Sequence, residues 1–310
     1  MRRLVVFHGH NSLKILVKSS AWVILHLLAV LPQIAAKRLA ICAAWMLWRT
    51  KSRTRRITER NLEISFPDMP TAGREQLACA SLRELSENIF DIGRTWLWRP
   101  ERLLRLVVNI SGEEHLQAAV DNGAGTIIMT PHLGNWELLN LHICSKYPVT
   151  TLYQERRRAE FNDLMRHARE RGGAKLVPAT AGGVRSILKA LRGGGVFSML
   201  PDQVPPVEGG KFAPFFGEPA LTMTLVTNLI QRTGAIAIMA YCKRVPGGNY
   251  EIAYRPADEK IYASDSATAL AALNKSIEHC VLECPEQYLW AYKRYKKLPN
   301  QSKREYFQTS

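Results

Sequence analysis

His132 and Glu137 are the residues of this 310-residue chain whose types and spacing suit proton transfer. An imidazole accepts a proton from a hydroxyl near neutral pH, and a carboxylate on its other nitrogen fixes the tautomer and stabilises the imidazolium. On one continuous helix, residues five apart are rotated by about 500°, about 140° off a common face, so the two cannot meet there. Gly134 and Asn135 are the residue types that supply the turn they need, and residues 136–143 read as a helix with Glu137 in its first turn. Upstream, the short β-branched run 126–129 reads as a buried strand that Pro131 ends. The pair thus stands at a strand end. By itself it also fits a second reading, a histidine tied to a carboxylate for structure.

Other chemistries lack their residues. The chain has no Gly-x-Ser-x-Gly elbow, and Cys144 lies in an apolar helical stretch, so the attacking group is expected to be a hydroxyl of the substrate. Gly123-Ala-Gly125 lacks the third glycine of a dinucleotide fingerprint, and Gly193 to Gly195 reads as a helix stop with no Gly-Lys-Ser/Thr behind it. HExxH is absent and the spacing of His132 and His142 is not that of metal ligands, so neither metal nor cofactor is expected.

The elements that position the pair alternate in type. Strands are predicted near 107–110, 126–130, 149–153, 175–177, 196–200, 236–242 and 250–254, with helices between most of them. This implies an α/β fold: a mostly parallel seven-stranded sheet sandwiched by helices, with Gly247-Gly-Asn249 closing a final antiparallel hairpin. Leu82, Leu85, Ile89 and Ile92 recur at helical spacing and predict a helix over 71–94. In such sheets ligands sit beyond the carboxyl ends of the strands, where His132, Gln154 and Asp202 fall.

Lys and Arg number 42 against 27 acids, a net charge of +15, which calls for an anionic partner. No helix-turn-helix, zinc spacing or RNP motif points to nucleic acid. Six cysteines without a CxxC read as free thiols. Near the start, an apolar run over 19–36, broken by His26, Pro32 and Gln33, precedes a second over 39–48. Neither reaches the roughly 20 apolar residues of a span. Together they read as a membrane anchor over 1–60, with a cleavable signal peptide and a buried soluble helix as competing readings. Trp45 and Trp48 beside Arg49, Lys51, Arg53, Arg55, Arg56 and Arg60 are written like a cytoplasmic membrane boundary.

The motif in its setting, Pro-His-Leu-Gly-Asn-Trp-Glu, resembles the HxxxxD/E motif of the glycerolipid acyltransferase superfamily, in its bacterial lipid A late acyltransferase (lauroyl/myristoyl) branch. Three further blocks resemble that branch in order: Leu200-Pro-Asp-Gln203, the stretch Lys211 to Gly217, and Pro285 to Pro299. The likeness runs over about 60–299. It implies a glycerol-3-phosphate acyltransferase-like domain over 61–310 that moves an acyl chain from an acyl-carrier-protein thioester to a hydroxyl of a lipid A precursor. No cofactor is implied; the partners would be the carrier protein, the lipid acceptor and the inner membrane, with the catalytic domain facing the cytoplasm.

Carried onto this chain, the resemblance makes His132 the base and Glu137 the group that holds its imidazolium. Arg169, in Arg169-Glu-Arg171-Gly, would steady the oxyanion or an acceptor phosphate, with Arg171 beside it. Asp202 would orient Arg169 or polarise the site. Lys211 and Phe215 would cover a lipid, and 288–297, read as a helix, would dock the carrier protein or membrane. One position departs: after Tyr153 the family often has Arg, where this chain has Gln154, then Glu155 and Arg156 to Arg158. A lysophospholipid, ornithine lipid or other glycolipid acceptor stays open, as does a membrane-binding scaffold.

Overall fold

A computed structural model describes residues 22–153, 159–300 and 302–307. Gln154 and Arg156 to Arg158 lie outside them. The seven expected strands pair into one sheet: β1 (Val107–Ser111), β2 (Thr126–Met129), β3 (Val149–Tyr153), β4 (Lys175–Pro178), β5 (Val196–Met199), β8 (Ile236–Val245) and β9 (Asn249–Pro256). Two more, β6 (Gly210–Phe215) and β7 (Glu218–Met223), form a separate ribbon. The sheet order is β1-β9-β8-β2-β5-β3-β4, with only the β8–β9 pair antiparallel.

Every residue of β2 and β5 is buried, as befits central strands covered on both faces. Side chains alternate between those faces. Ile127, Met129 and Phe197 pack with α9 (Ala181–Arg192), α10 (Leu225–Thr233) and α11 (Ser266–Glu283). Ile128 and Val196 pack with α5 (Pro100–Leu104), α6 (Glu113–Asp121) and α7 (Trp136–Lys146). The expected helix over 71–94 is α4 (Thr71–Leu97), and α8 (Ala159–Glu170) packs against both α4 and α7.

Two stretches differ from their sequence reading. No strand is predicted over the ribbon; its turn, Phe216-Gly217, takes two positive φ angles, 48° and 79°, as in a type I′ hairpin. Pro214 opposite Pro219 in the ladder hides the strands from a pattern reading. Residues 288–297 are not a helix. Trp290, Arg294 and Tyr295 are all buried, and the carbonyls of Trp290 and Tyr292 accept from the Asn61 amide at 2.6 and 2.7 Å instead of continuing a ladder. Arg294 donates to Leu221 O at 2.7 Å and to Thr222 Oγ1 at 3.1 Å.

Near the N-terminus, α1 (Trp22–Val30) and α2 (Gln33–Arg49) meet at a bend of 119°. Among the described residues no single helix is long and apolar enough to cross a membrane, and only this bent pair passes that test together. Ala36, Ala40 and Ala44, spaced four apart, are the buried stripe of α2, which packs against α4. Ile34, Ile41 and Trp45 stay exposed. Helix α3 (Arg53–Ser65) runs unbroken across residues 60 and 61 and buries Leu62 in the main core, so one helix spans the boundary expected there.

Candidate active site

Beyond β2 the chain bends at His132, where Leu133 N donates to Pro131 O at 2.7 Å, and backbone holds it on both sides. Leu289 N donates to His132 O at 2.9 Å, Gly134 N to Gln287 O at 3.0 Å, and Asn135 N to Cys242 O at 2.8 Å. Gly134 has φ +57°, and a Cβ there would stand 2.0 Å from Cys242 O, so no side chain fits. Asn135 then caps α7, its Oδ1 accepting from Leu138 N at 3.0 Å.

The partner of the imidazole is Asp202. Strands β2 and β5 are parallel neighbours with Met129 paired to Met199, and His132 and Asp202 each lie three residues further on. Asp202 Oδ1 is 2.6 Å from Nδ1 of His132, and Oδ2 accepts from the His132 backbone N–H at 2.8 Å. Burial works to raise the Asp202 pKa, but the His132 ring and its bonds prevail, with Arg294 behind them, and hold it below the ordinary 3.8. Asp202 is therefore the ionised group that fixes the ring.

Glu137 does something else. Its two oxygens take Arg169, at 3.1 Å from Nε and 2.6 Å from Nη2. Burial disfavours charge on Arg169, yet Glu137 outweighs it and keeps the guanidinium firmly protonated. The two carboxylates thus exchange the roles the sequence reading gave them: Asp202 serves His132 and Glu137 serves Arg169. Helix geometry accounts for this. Trp136, the first residue of α7, lays its ring edge-on to His132 with centroids 5.1 Å apart, and Glu137, about 100° further round, faces α8.

His132, Glu137 and Arg169 open onto one cleft of about 310 Å³. Leu85, Ile89, Ile92 and Trp96 of α4 form an apolar wall and Met165 of α8 adds to it. Gln203 and Tyr288 close the end near His132, and the Gln203 amide nitrogen is 3.2 Å from its Nε2. The sequence assigns no role to Gln203 or Trp136 and places Tyr288 in an expected docking helix, although Gln203 directly follows Asp202 in the Leu200-Pro-Asp-Gln203 block.

Three expected site residues lie elsewhere. Arg171 donates to Thr95 O at 2.6 Å, to Trp98 O and to Ala168 O at 3.2 Å, tying off the last turn of α4. Lys211, on the exposed edge of the ribbon, reaches Ser266 Oγ at 3.3 Å. Phe215 is fully buried with Tyr295 and Tyr288 near its ring and the Arg294 guanidinium over it. None of the three lines the cleft. Among the described residues, no group of three His, Cys, Asp or Glu is placed to hold a metal ion.

Behind α4 lies a second cavity of about 280 Å³, separated from the cleft by Thr95 and Asn135, whose side chains bond at 3.2 Å. Its floor is ionic. Arg244 of β8 meets Asp91, Glu84 at 3.2 Å and Asn88 at 2.7 Å, and the Tyr250 hydroxyl donates to Asp91 at 2.9 Å.

A model of the bacterial lipid A biosynthesis acyltransferase family matches residues 8–297. The chain belongs to this family. Its relatives within it include the lipid A biosynthesis lauroyltransferase of Escherichia coli, 26% identical over 89% of this chain and 90% of that one. The lipid A biosynthesis palmitoleoyltransferase of the same organism is 28% identical over 78% and 79%. A phosphatidylinositol mannoside acyltransferase of Mycobacterium tuberculosis is 27% identical over 59% of each chain. The family is the one that the motif and its three companion blocks resemble, and membership makes this chain an acyltransferase.

Proposed function

We propose that this lipid A acyltransferase moves a fatty acyl chain from an acyl-carrier-protein thioester to a hydroxyl of a lipid A precursor, working at the cytoplasmic face of the inner membrane. The observation that carries the reading is the base: Nδ1 of His132 is held by buried Asp202, and Nε2 faces an apolar cleft. The acceptor hydroxyl gives its proton to Nε2 as its oxygen attacks the thioester carbonyl, and Asp202 stabilises the imidazolium. Arg169, held by Glu137, offers its remaining N–H groups to the oxyanion or to an acceptor phosphate. The carbon–sulfur bond then breaks, the thiol leaves with the proton from the imidazolium, and the ester remains. Two carboxylates, Asp202 buried behind the ring and Glu137 on the cleft wall, are thereby given separate tasks.

Attachment to the membrane is supported by the apolar residues that α1 and α2 leave exposed, among them Trp22, Leu27, Val30, Ile34, Ile41 and Trp45. Arg49, Lys51 and Arg53 follow at the end of α2, where anionic head groups attract cations. Mass spectrometry of lipids from cells with and without the gene tests the whole reading. Lipid A should lack one acyl group when the gene is absent, and the protein should sediment with membranes. Unchanged lipid A beside an altered phospholipid or glycolipid would move the acceptor elsewhere.

A further inference from the structure

The contact between Gln203 and His132 has a sense that the far side of the ring fixes. Asp202 is ionised and can only accept, so Nδ1 carries the proton in their 2.6 Å bond. An amide nitrogen only donates. The atom opposite it, Nε2, is therefore the bare lone pair of a neutral imidazole. We infer that Gln203 caps the catalytic base: its amide N–H occupies the Nε2 lone pair while no acceptor is bound, and the acceptor hydroxyl takes that lone pair by displacing it. The inference rests on the reading of His132 as base.

Three features make the cap displaceable. At 3.2 Å the bond is at the long end of its range. The Gln203 side chain is only half-buried, at the wall of the cleft. Its neighbours are pinned independently, the Asp202 carboxylate by its two bonds to His132 and the Val204 backbone N–H by the Tyr292 hydroxyl at 3.0 Å. Gln203 can swing away without disturbing Asp202. While it is in place, water in the cleft has no bare base to use, which protects a bound thioester from hydrolysis until a hydroxyl competes.

The cap is read directly by carbethoxylation of the full chain with diethyl pyrocarbonate, which acylates an unprotonated, accessible imidazole nitrogen, followed by peptide mass spectrometry. Exposed His115 and His279 serve as references and buried His142 reports an intact fold. Gln203→Met keeps the size but loses the donor, and Gln203→Glu places a carboxylate that holds the imidazolium. At neutral pH the rate at His132 should order as Met above wild type above Glu. The step from wild type to Met should be roughly 2- to 12-fold, the worth of one hydrogen bond. Equal rates in all three would show mere crowding and overturn the cap. This arm uses no lipid, so it stands apart from the identity of the acceptor. In turnover, Gln203→Met should raise kcat/KM for the acceptor by a similar factor; a fall with unchanged labelling would make Gln203 a transition-state contact instead.

Discussion

The two sides of α4 are built from the same residue types and end in different states. Behind the helix, Arg244 is surrounded by Glu84, Asn88, Asp91 and Tyr250, and Tyr250 and Arg94 complete Asp91. In front, Asp202 and Glu137 each saturate one face of a partner and leave the other face to the cleft: Nε2 of His132 behind a long bond, and Arg169 with no acceptor but Glu137 among the described residues. A closed network fixes a helix. An open one fixes a reactive atom and leaves it available. Burial of charge is costly in both, so the rear network stabilises only because its carboxylates are paired with Arg244 and Arg94.

Substitutions separate the two sides. The largest effect is expected in front. His132→Ala should lower kcat by roughly 10² to 10⁴, and Asp202→Asn should fall in the same range because the ring loses its orienting acceptor. The double variant should be no slower than the worse single one, since the two act as a unit. Losses that multiply would break the assignment of Asp202 to the base. Next comes Glu137→Gln, expected to cost roughly 10- to 100-fold in kcat/KM as a charge-assisted pair is lost. A double-mutant cycle in kcat/KM should couple Glu137 to Arg169 by about 0.5–3 kcal/mol and more strongly than to His132. The reverse order would restore the original pairing of Glu137 with the imidazole.

Behind α4, Arg244→Met should cost about 3–5 kcal/mol of stability, because Glu84 loses its cation and Asp91 keeps only Arg94. The folded fraction should turn over as wild type does. A stable but slow Arg244→Met would mean that the two sides are not independent. The smallest effect is the acid dependence of stability. Asp202 has a native pKa held below 3.8, so its share of stability is complete above that value and is lost as the pH falls through the native value. The difference in unfolding free energy between wild type and Asp202→Asn should be flat above about pH 4 and narrow below it.

Much of this was legible in the chain itself. All seven sheet strands carry their periodicity in the sequence, Gly134 and Asn135 announce the turn, and His132 stands where a strand-end base should. The identity of its partner was not legible, because five residues of spacing favour Glu137 while the decisive neighbour lies 70 positions away. Only the strand order, with β5 beside β2, brings Asp202 to the ring. The fate of Phe215 and Arg294 escaped for a related reason. An aromatic and basic stretch reads as surface until the elements that bury it, here α11 and the ribbon, are placed around it.

The backbone bonds at His132 and Gly134 have a consequence for how the enzyme comes into being. Their partners, Leu289 and Gln287, are made more than 150 residues after the motif itself. A ribosome that has finished the sheet as far as β9 has produced the base and its carboxylate but not the segment that seats them, and contacts of such long separation form late. The growing chain therefore passes most of its synthesis with its N-terminal apolar helices complete and its reactive centre unassembled. On the membrane attachment proposed above, binding to a bilayer would precede competence, and a chain released before residue 285 would hold the motif without the clamp that aims it.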